Sequence, residues 1–493
     1  MNSNAINRRS FLGSVLASCA FIACKKHPAE AKPSEISFAD PLATNPNYDL
    51  GQYHFTELGP GLYLPVDITK TFHGYTDTVS YKSGEPVSLY LSGPPHSDQT
   101  LNLTNAHGHH IKSFTTPVDF QTIGSKKPWV DGFMYSRTAV VRLPDDLKSG
   151  LYRLTGDIPL ICKGNNTSAD ITVVYPSNTL NAYNHHGGKS LYRPADLATE
   201  HAIYRATVVS HRRYNPLAPN YAENFIESFF QWMEKQHYNT RYIADTDLED
   251  YSEIENSKMV ILTGKSEYWT RQARHNIDKF SASGKNVLVL SGNTMYWQVR
   301  HNNKKDLMIC YKSNNVDPLN DTLYSTYYWD TPGLKYPVRN SIGADFKGGG
   351  FPMKLANPMH GFKIVNDASP LLNGTGLKNG DLLHLPTVET DGAPLKKMIF
   401  PGSSEVPEID NSKLNFHKVE LIGYIHAINP DDKPGVGTFM AFQKTHTSGT
   451  VVNVASTNWC SATGIGGVDK EKIETITKNM IERSLNNESL FTS

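Results

Sequence analysis

Acidic, aromatic and histidine side chains cluster in four short motifs that each follow an apolar run. These motifs occupy residues 181–188, 264–269, 292–297 and 456–459. Glu267 lies in the second motif, where a glutamate suits either a general base or an acid that caps the following helix. His186 lies in the first motif, in a loop bounded by glycines, where an imidazole could transfer protons near pH 7 or simply face solvent. These two residues are the candidate catalytic groups.

A pair of carboxylates offers a second chemistry. Glu267 with Glu389 or Asp391 could act as acid and base on a glycosidic bond, provided that the two carboxyl groups lie about 5–10 Å apart. The sequence does not define that distance, so the hypothesis stays open.

Several other classes of site are excluded by the sequence. It contains no G-x-S-x-G elbow, no H-E-x-x-H helix and no phosphate-binding loop. Cys162, Cys310 and Cys460 form no C-x-x-C pair, and we predict three buried free thiols. The 48 basic and 48 acidic side chains give a formal net charge of zero, which provides no basic surface for nucleic acid.

The elements that must position the motifs alternate between strand and helix from about residue 171. Five runs are apolar almost throughout, as in strands covered on both faces, at 171–175, 241–244, 259–263, 286–291 and 451–455. Amphipathic helices are predicted near 225–232, 270–280 and 470–485. This alternation predicts a doubly wound, mostly parallel sheet. Because ligands bind at the carboxyl ends of such strands, the motifs lie where a site is expected.

A different pattern precedes residue 171. Short strands at 87–91, 140–143 and 151–154, separated by Gly, Pro and Asp clusters, predict a β-sandwich. The segment 302–400 is rich in Gly, Pro and Asn and predicts an irregular insertion or lid. The predicted fold is therefore an all-β sandwich at 46–170 followed by an α/β domain at 171–493.

The N-terminus is predicted to be an export signal. Arg8 and Arg9 precede an apolar run that ends at Ala23, as in the bacterial twin-arginine signal. Phe21-Ile22-Ala23-Cys24 resembles a lipobox, which predicts lipidation of Cys24; an uncleaved anchor or simple cleavage nearby is the alternative. Residues 25–45 are predicted to be a flexible tether.

The four motifs together resemble the C-terminal region of the large (beta) subunit of N,N-dimethylformamidase and its relatives. The resemblance spans about 170–485 and rests on four ordered motifs, at 182–192, 266–269, 292–297 and 456–459. It implies a fold similar to that of class I glutamine amidotransferases, without the cysteine nucleophile of those enzymes. It also implies a ferric ion held by two tyrosinates and one glutamate. On this sequence Tyr268, Tyr296 and Glu389 match, with Tyr311 as the alternative second tyrosine.

Three positions depart from the family pattern. Lys265 stands where the amidase has a histidine, Asn458 replaces an acid of many relatives, and His186 replaces an aromatic residue. The changes at Lys265 and Asn458 predict a substrate other than dimethylformamide itself.

The sequence therefore predicts an exported, lipid-anchored, iron-dependent hydrolase of a C–N amide bond, with a small amide or glycan-like substrate. The alternative is a cell-surface protein that binds carbohydrate or peptide with a catalytically silent α/β domain. In that alternative Trp269, Trp297 and Trp459 would converge on one rim to stack on a sugar. The oligomeric state, and any small partner subunit like that of the amidase, are left open.

Overall fold

The computed structural model describes residues 72–94, 97–192, 205–215, 225–313, 315–319 and 321–492. The predicted export signal with Cys24, and the predicted tether, lie outside the described residues. All described residues belong to one compact unit, and the domain boundary at 170/171 stays a prediction.

The first part of the described chain forms two β-sheets that share a core. Its strands are β1 (His73–Thr76), β2 (Ser80–Tyr81), β3 (Pro86–Ser92), β4 (Ser97–Asn105), β5 (His110–Val118), β6 (Ala139–Arg142), β7 (Gly150–Leu154) and β8 (Ile158–Cys162). One sheet has the order β1-β3-β6 and the other the order β2-β8-β7-β4-β5. Val87, Leu89 and Leu91 alternate along β3 and pack against Leu101 and Leu103 of β4. This period of two places one face of each sheet in the shared core, as in a sandwich.

The remaining strands form a large sheet and smaller ones around it. They are β9 (Ile171–Tyr175), β10 (Val208–Ser210), β11 (Thr240–Ala244), β12 (Met259–Gly264), β13 (Tyr268–Thr270), β14 (Asn286–Ser291), β15 (Trp297–His301), β16 (Leu307–Ile309), β17 (Asp345–Gly350), β18 (Gly361–Ile364), β19 (Leu382–His384), β20 (Thr390–Gly392), β21 (Lys418–Ile428), β22 (Pro434–Gln443) and β23 (Thr450–Asn453).

The helices are short except for two. They are α1 (Pro128–Asp131), α2 (Ser177–Tyr183), α3 (Glu227–Lys235), α4 (Arg271–Ala282), α5 (Arg339–Ile342) and α6 (Lys470–Leu485). Short 3-10 helices occupy Asp245–Glu249, Tyr251–Glu253, Pro332–Leu334, Pro352–Lys354, Pro370–Leu372 and Asn411–Lys413. None of the helices in the described ranges has the length and hydropathy needed to cross a bilayer.

The large sheet is half parallel and half antiparallel. Its order is β11-β9-β12-β14-β23-β22-β21-β18-β19, and the first five strands are parallel. Helices α3 and α6 belong to the hydrophobic core on one face, and α4 belongs to the core on the other. The prediction of a mixed α/β fold is confirmed. The sheet contains more antiparallel strands than expected, because β18, β19, β21 and β22 extend it.

The segment 302–400 is more ordered than its composition predicts. It supplies β16 to a four-stranded sheet of order β10-β16-β15-β13, and β18 and β19 to the edge of the large sheet. The segment is therefore not wholly irregular, and its interpretation as an insertion or lid stays a prediction. As predicted, Cys162, Cys310 and Cys460 are buried free thiols.

Candidate functional site

The site lies at the topological switch point of the large sheet, between β9 and β12, where the chain begins to add parallel strands on the opposite side. Counted along the chain, the five parallel strands have the order 2-1-3-4-5, so the chain leaves β9 and β12 towards opposite edges of the sheet. Ligands of open α/β sheets bind in the crevice at such a switch point, beyond the carboxyl ends of the strands. In this protein the segments that follow the two strands lie at that crevice. Helix α2 follows β9, and the motif 264–269 follows β12.

Glu267 is held by two side chains from one face of α2. Thr179 and Tyr183 are four residues apart on this helix and therefore project from the same face. The backbone N–H of Glu267 donates to Thr179 Oγ1 at 2.9 Å, and Tyr183 Oη donates to Glu267 Oε2 at 2.7 Å. Trp297 Nε1 donates to the other oxygen, Glu267 Oε1, at 3.0 Å. The carboxylate is thus buried and fixed at both oxygens.

Lys265 joins Glu267 to Glu389. Its Nζ lies 2.9 Å from Glu389 Oε2 and 3.8 Å from Glu267 Oε2, and it lies 4.6 Å from the centre of the Tyr183 ring. Lys265 is only 2% exposed, so the ammonium has lost its hydration and depends on these contacts. The position at which the sequence departs from the amidase therefore places a fixed positive charge between two carboxylates.

The loop that carries Glu389 is held by neighbouring strand ends. Thr457 Oγ1 accepts from the Glu389 N–H at 3.2 Å, and Asn458 Oδ1 accepts from the Val388 N–H at 2.9 Å. Asn293 Nδ2 donates to Glu389 Oε2 at 3.3 Å. Asn458 thus caps a backbone group, a role that an aspartate at this position would also perform.

The electrostatics of the carboxyl groups follow from burial. Burial raises the pKa of Glu267, Lys265 opposes this shift, and the nearby Glu389 carboxylate adds to it. Burial also raises the pKa of Asp391 to about 8, so this carboxyl group holds its proton at neutral pH. Asp391 accepts a hydrogen bond from the Thr294 N–H. In a glycosidase pair with Glu267, a protonated Asp391 would have to be the general acid, so its pKa does not exclude that pair.

Backbone strain marks the same edge. Asn293 and Met295 follow β14 with φ of 50° and 55°, and Ala455 follows β23 with φ of 54°. Such left-handed conformations cost about 1–3 kcal/mol each for residues with a side chain and concentrate at functional sites. Three strained residues at adjacent strand ends therefore support the location of the site.

Tyr268 and Lys312 come together through the four-stranded sheet. Tyr268 begins β13 and lies opposite Trp297 of β15, and Lys312 follows β16 of the same sheet. Lys312 Nζ donates to Tyr268 Oη at 2.8 Å. Burial raises the pKa of Tyr268 well above its usual value and lowers the pKa of Lys312 to about 8.

The candidate iron ligands lie around Glu267. The Glu267 carboxylate raises the pKa of Tyr268 and Tyr296, after the larger effect of burial, and Glu389 is linked to it through Lys265. Tyr296 packs against Trp297, while Tyr311 is fully buried in the same core as Tyr268, so the choice between them stays open. Within the described ranges, no group of three or more His, Cys, Asp or Glu side chains could hold a metal ion.

His186 does not join this cluster. Its Nδ1 lies 3.0 Å from Asn184 Oδ1, and its ring packs on Tyr214. Burial and the neighbouring Arg213 lower the pKa of His186 to about 4, so the ring is neutral at pH 7. The contacts described for His186 are local and none is with Glu267, so its catalytic role stays a prediction.

Two further expectations are wrong. Thr270 caps α4 by accepting from the Ala273 N–H, so Glu267 is not the helix cap. The three tryptophans do not converge on one rim, because Trp269 and Trp459 are buried in the cores on opposite faces of the sheet. Trp297 alone of the three is partly exposed, which leaves the proposed sugar-stacking rim without support.

Sequence reasoning missed Tyr183, Asn293 and Lys312. The spacing of Thr179 and Tyr183 gave a usable signal, since residues four apart share a helix face. No sequence signal predicts the contact of Lys312 with Tyr268, because the two residues belong to different strand ends that are distant in sequence.

Comparison with protein families supports a relationship that includes the site. A family model described as N,N-dimethylformamidase beta subunit-like, C-terminal, matches residues 100–470, about three quarters of the chain. The match begins within β4 of the sandwich, well before the region of resemblance at 170–485, and contains Glu267, Tyr268, Tyr296 and Glu389. The comparison with curated proteins finds no match.

Proposed function

The chain belongs to the N,N-dimethylformamidase beta subunit-like family, and we propose that it is an exported hydrolase that cleaves a C–N amide bond. The observation that carries this proposal is the buried Glu267 carboxylate, held by Tyr183 and Trp297 at the switch point of the sheet. A carboxylate fixed at both oxygens is preorganised for proton transfer.

Each step of hydrolysis has a residue suited to it. Glu267 takes a proton from water, whose hydroxyl adds to the carbonyl carbon of the amide. In the protein without metal, the Tyr268 hydroxyl accepts its hydrogen bond from Lys312, so its own proton is available to donate a hydrogen bond to the carbonyl oxygen. With a ferric ion bound, Tyr268 would be a phenolate, and the Lewis acidity of the ion would replace this hydrogen bond. The C–N bond then breaks, and the proton held by Glu267 passes to the departing amine.

We propose that Tyr268, Tyr296 and Glu389 hold a ferric ion. The donor set fits, because a hard cation prefers oxygen ligands. The Lys265 and Lys312 ammonium groups contact Glu389 Oε2 and Tyr268 Oη, so a ferric ion would have to displace them from these oxygens. A bound ferric ion would favour the phenolate forms of the tyrosines and supply Lewis acidity.

Amide hydrolysis tests the activity directly. We would purify residues 25–493 from a host given ample iron and measure amine release from dimethylformamide, formamide, acetamide and N-acetylglycine. We expect release from at least one amide. A folded, iron-loaded protein that releases amine from none of them contradicts the proposed activity.

The iron site has its own test. We expect stoichiometric iron and a broad visible band from tyrosinate-to-iron charge transfer, both lost in Tyr268→Phe. Tyr242→Phe, which alters a phenol buried elsewhere in the core, is the matched control and should keep the band. Loss of the band in Tyr296→Phe but not in Tyr311→Phe would assign the second tyrosine. A colourless protein that stays metal-free after addition of ferric salt contradicts the site.

We further propose that the twin-arginine motif directs export and that lipidated Cys24 anchors the mature protein to a membrane. The motifs at Arg8-Arg9 and Cys24 support this proposal.

A further inference from the structure

Lys312 is the most exposed member of the cluster that it forms with Glu267, Lys265 and Tyr268. It follows β16 with φ of 54°, a left-handed conformation that costs free energy for a residue with a side chain. Glu267, Lys265 and Tyr268 are buried, whereas Lys312 is partly exposed. The chain therefore directs a lysine, at a cost, to the boundary between the buried site and solvent.

The ammonium of Lys312 is surrounded by aromatic groups. Its Nζ lies 4.5 Å from the Trp297 ring centre, 5.1 Å from that of Tyr268 and 5.9 Å from that of Tyr192. Its hydrogen bond goes to Tyr268 Oη at 2.8 Å. Among the described residues, no carboxylate lies within ion-pair distance of Lys312, in contrast to Lys265 with Glu389.

In the part of the chain that the structure describes, this ammonium group has no carboxylate in ion-pair contact, and Glu267 attracts it only from a greater distance. Removal of a charge from water is costly unless an opposite charge compensates for it, and aromatic faces compensate only in part. A ligand carboxylate would form a charge-assisted hydrogen bond with the Lys312 ammonium and supply the missing negative charge.

We propose that Lys312 binds a carboxylate of the substrate, so that the preferred substrates are small amides that carry a carboxylate, of the N-acyl amino acid class. This inference rests on the proposed amide hydrolysis. Trp297 connects the two functions, because its ring lies beside Lys312 while its Nε1 donates to Glu267. A substrate held by its carboxylate at Lys312 therefore has its amide group close to Glu267.

The test compares two amides of similar size, N-acetylglycine with a terminal carboxylate and N-acetylglycinamide with a neutral terminal amide. Acetate release is followed, because the terminal amide is itself a C–N bond that could be cleaved. We expect kcat/KM to favour N-acetylglycine by about 10- to 100-fold, the usual value of a charged hydrogen bond. In Lys312→Met this preference should disappear, mainly through a rise in KM for N-acetylglycine. Lys279→Met removes another lysine that lies over a tyrosine ring, that of Tyr251, and should keep the preference.

Calorimetry separates this inference from the activity. The Kd of each amide would be measured with Glu267→Gln and with the double variant Glu267→Gln/Lys312→Met. Thermal unfolding first shows that both proteins are folded. If the double variant is not folded, Lys312→Gln takes the place of Lys312→Met. If neither amide is hydrolysed but N-acetylglycine binds more tightly and Lys312 is required, the proposed catalysis fails for these amides and the anion site stands. Equal binding of the two amides, or a preference that survives loss of Lys312, overturns the inference.

Discussion

At the scale of single residues, the site depends on how Glu267 is held. Its two oxygens accept from Tyr183 and Trp297, and Lys265 lies beside it. Glu267→Gln keeps the size of the side chain and removes the base. We expect kcat to fall by about 100- to 10,000-fold, the usual contribution of a general base, with little change in the midpoint of thermal unfolding. Steady-state kinetics on the best amide would measure this.

A second glutamate provides the matched control. Glu249 accepts from His301 and contacts Lys305 outside the Glu267 cluster. Glu249→Gln makes the same chemical change and should leave kcat within a few fold. If both variants retain full activity, Glu267 is not the base; if both lose it equally, the loss reflects structure and not catalysis.

At the scale of elements, glycine at a strand end lets the loops of the site meet. Gly292 follows β14, and a Cβ atom there would lie 2.6 Å from the backbone of both Glu389 and Thr457. Gly292→Ala must therefore displace the loop that carries Glu389. We expect a loss of about 1–3 kcal/mol in the free energy of unfolding, together with reduced kcat/KM, measured by denaturant unfolding and steady-state kinetics.

The control for this variant is a glycine in open surroundings. At Gly333 the nearest atom to an added Cβ is 3.8 Å away, so Gly333→Ala should change the free energy of unfolding by no more than about 0.5 kcal/mol. If Gly292→Ala is as stable and active as Gly333→Ala, the close approach of the loops does not shape the site.

Some strands of the large sheet were predictable from the sequence and others were not. The parallel strands β9, β12 and β14 were predictable, because strands buried on both faces form continuous apolar runs. β22 was not, since Gly435 and Gly437 within it read as loop residues. An added Cβ at Gly435 would lie 1.9 Å from Gly349 O, so these glycines serve the close packing of another strand on β22.

The site was predictable only where the information is local. Glu267, Tyr268 and Tyr296 stand in motifs that follow apolar strands, so their place at the carboxyl edge could be inferred. The Lys265–Glu389 ion pair joins residues more than a hundred positions apart, and no periodicity encodes such a contact. The prediction that Trp269 and Trp459 share one rim was wrong, because a residue after a strand can point towards the core on either face of the sheet.

At the scale of the whole molecule, the N-terminal segment must decide where the site works. Residues 1–23 hold two arginines and no acidic residues, so their removal leaves 46 basic and 48 acidic groups and no strong charge to attract the rest of the chain to a membrane. The proposed lipid at Cys24 would then provide the membrane association by its insertion into the bilayer.

Two sets of variants test this dependence. Arg8→Lys/Arg9→Lys should leave the full precursor in the cytoplasm, because the twin-arginine route reads the arginine pair. Cys24→Ala should still permit export but abolish palmitate labelling and release the protein from the membrane fraction. Cys19→Ala changes another cysteine of the same segment and should keep both label and anchor. Membrane retention of Cys24→Ala without label would show that the apolar segment itself is the anchor, and secretion of the lysine pair would exclude the twin-arginine route.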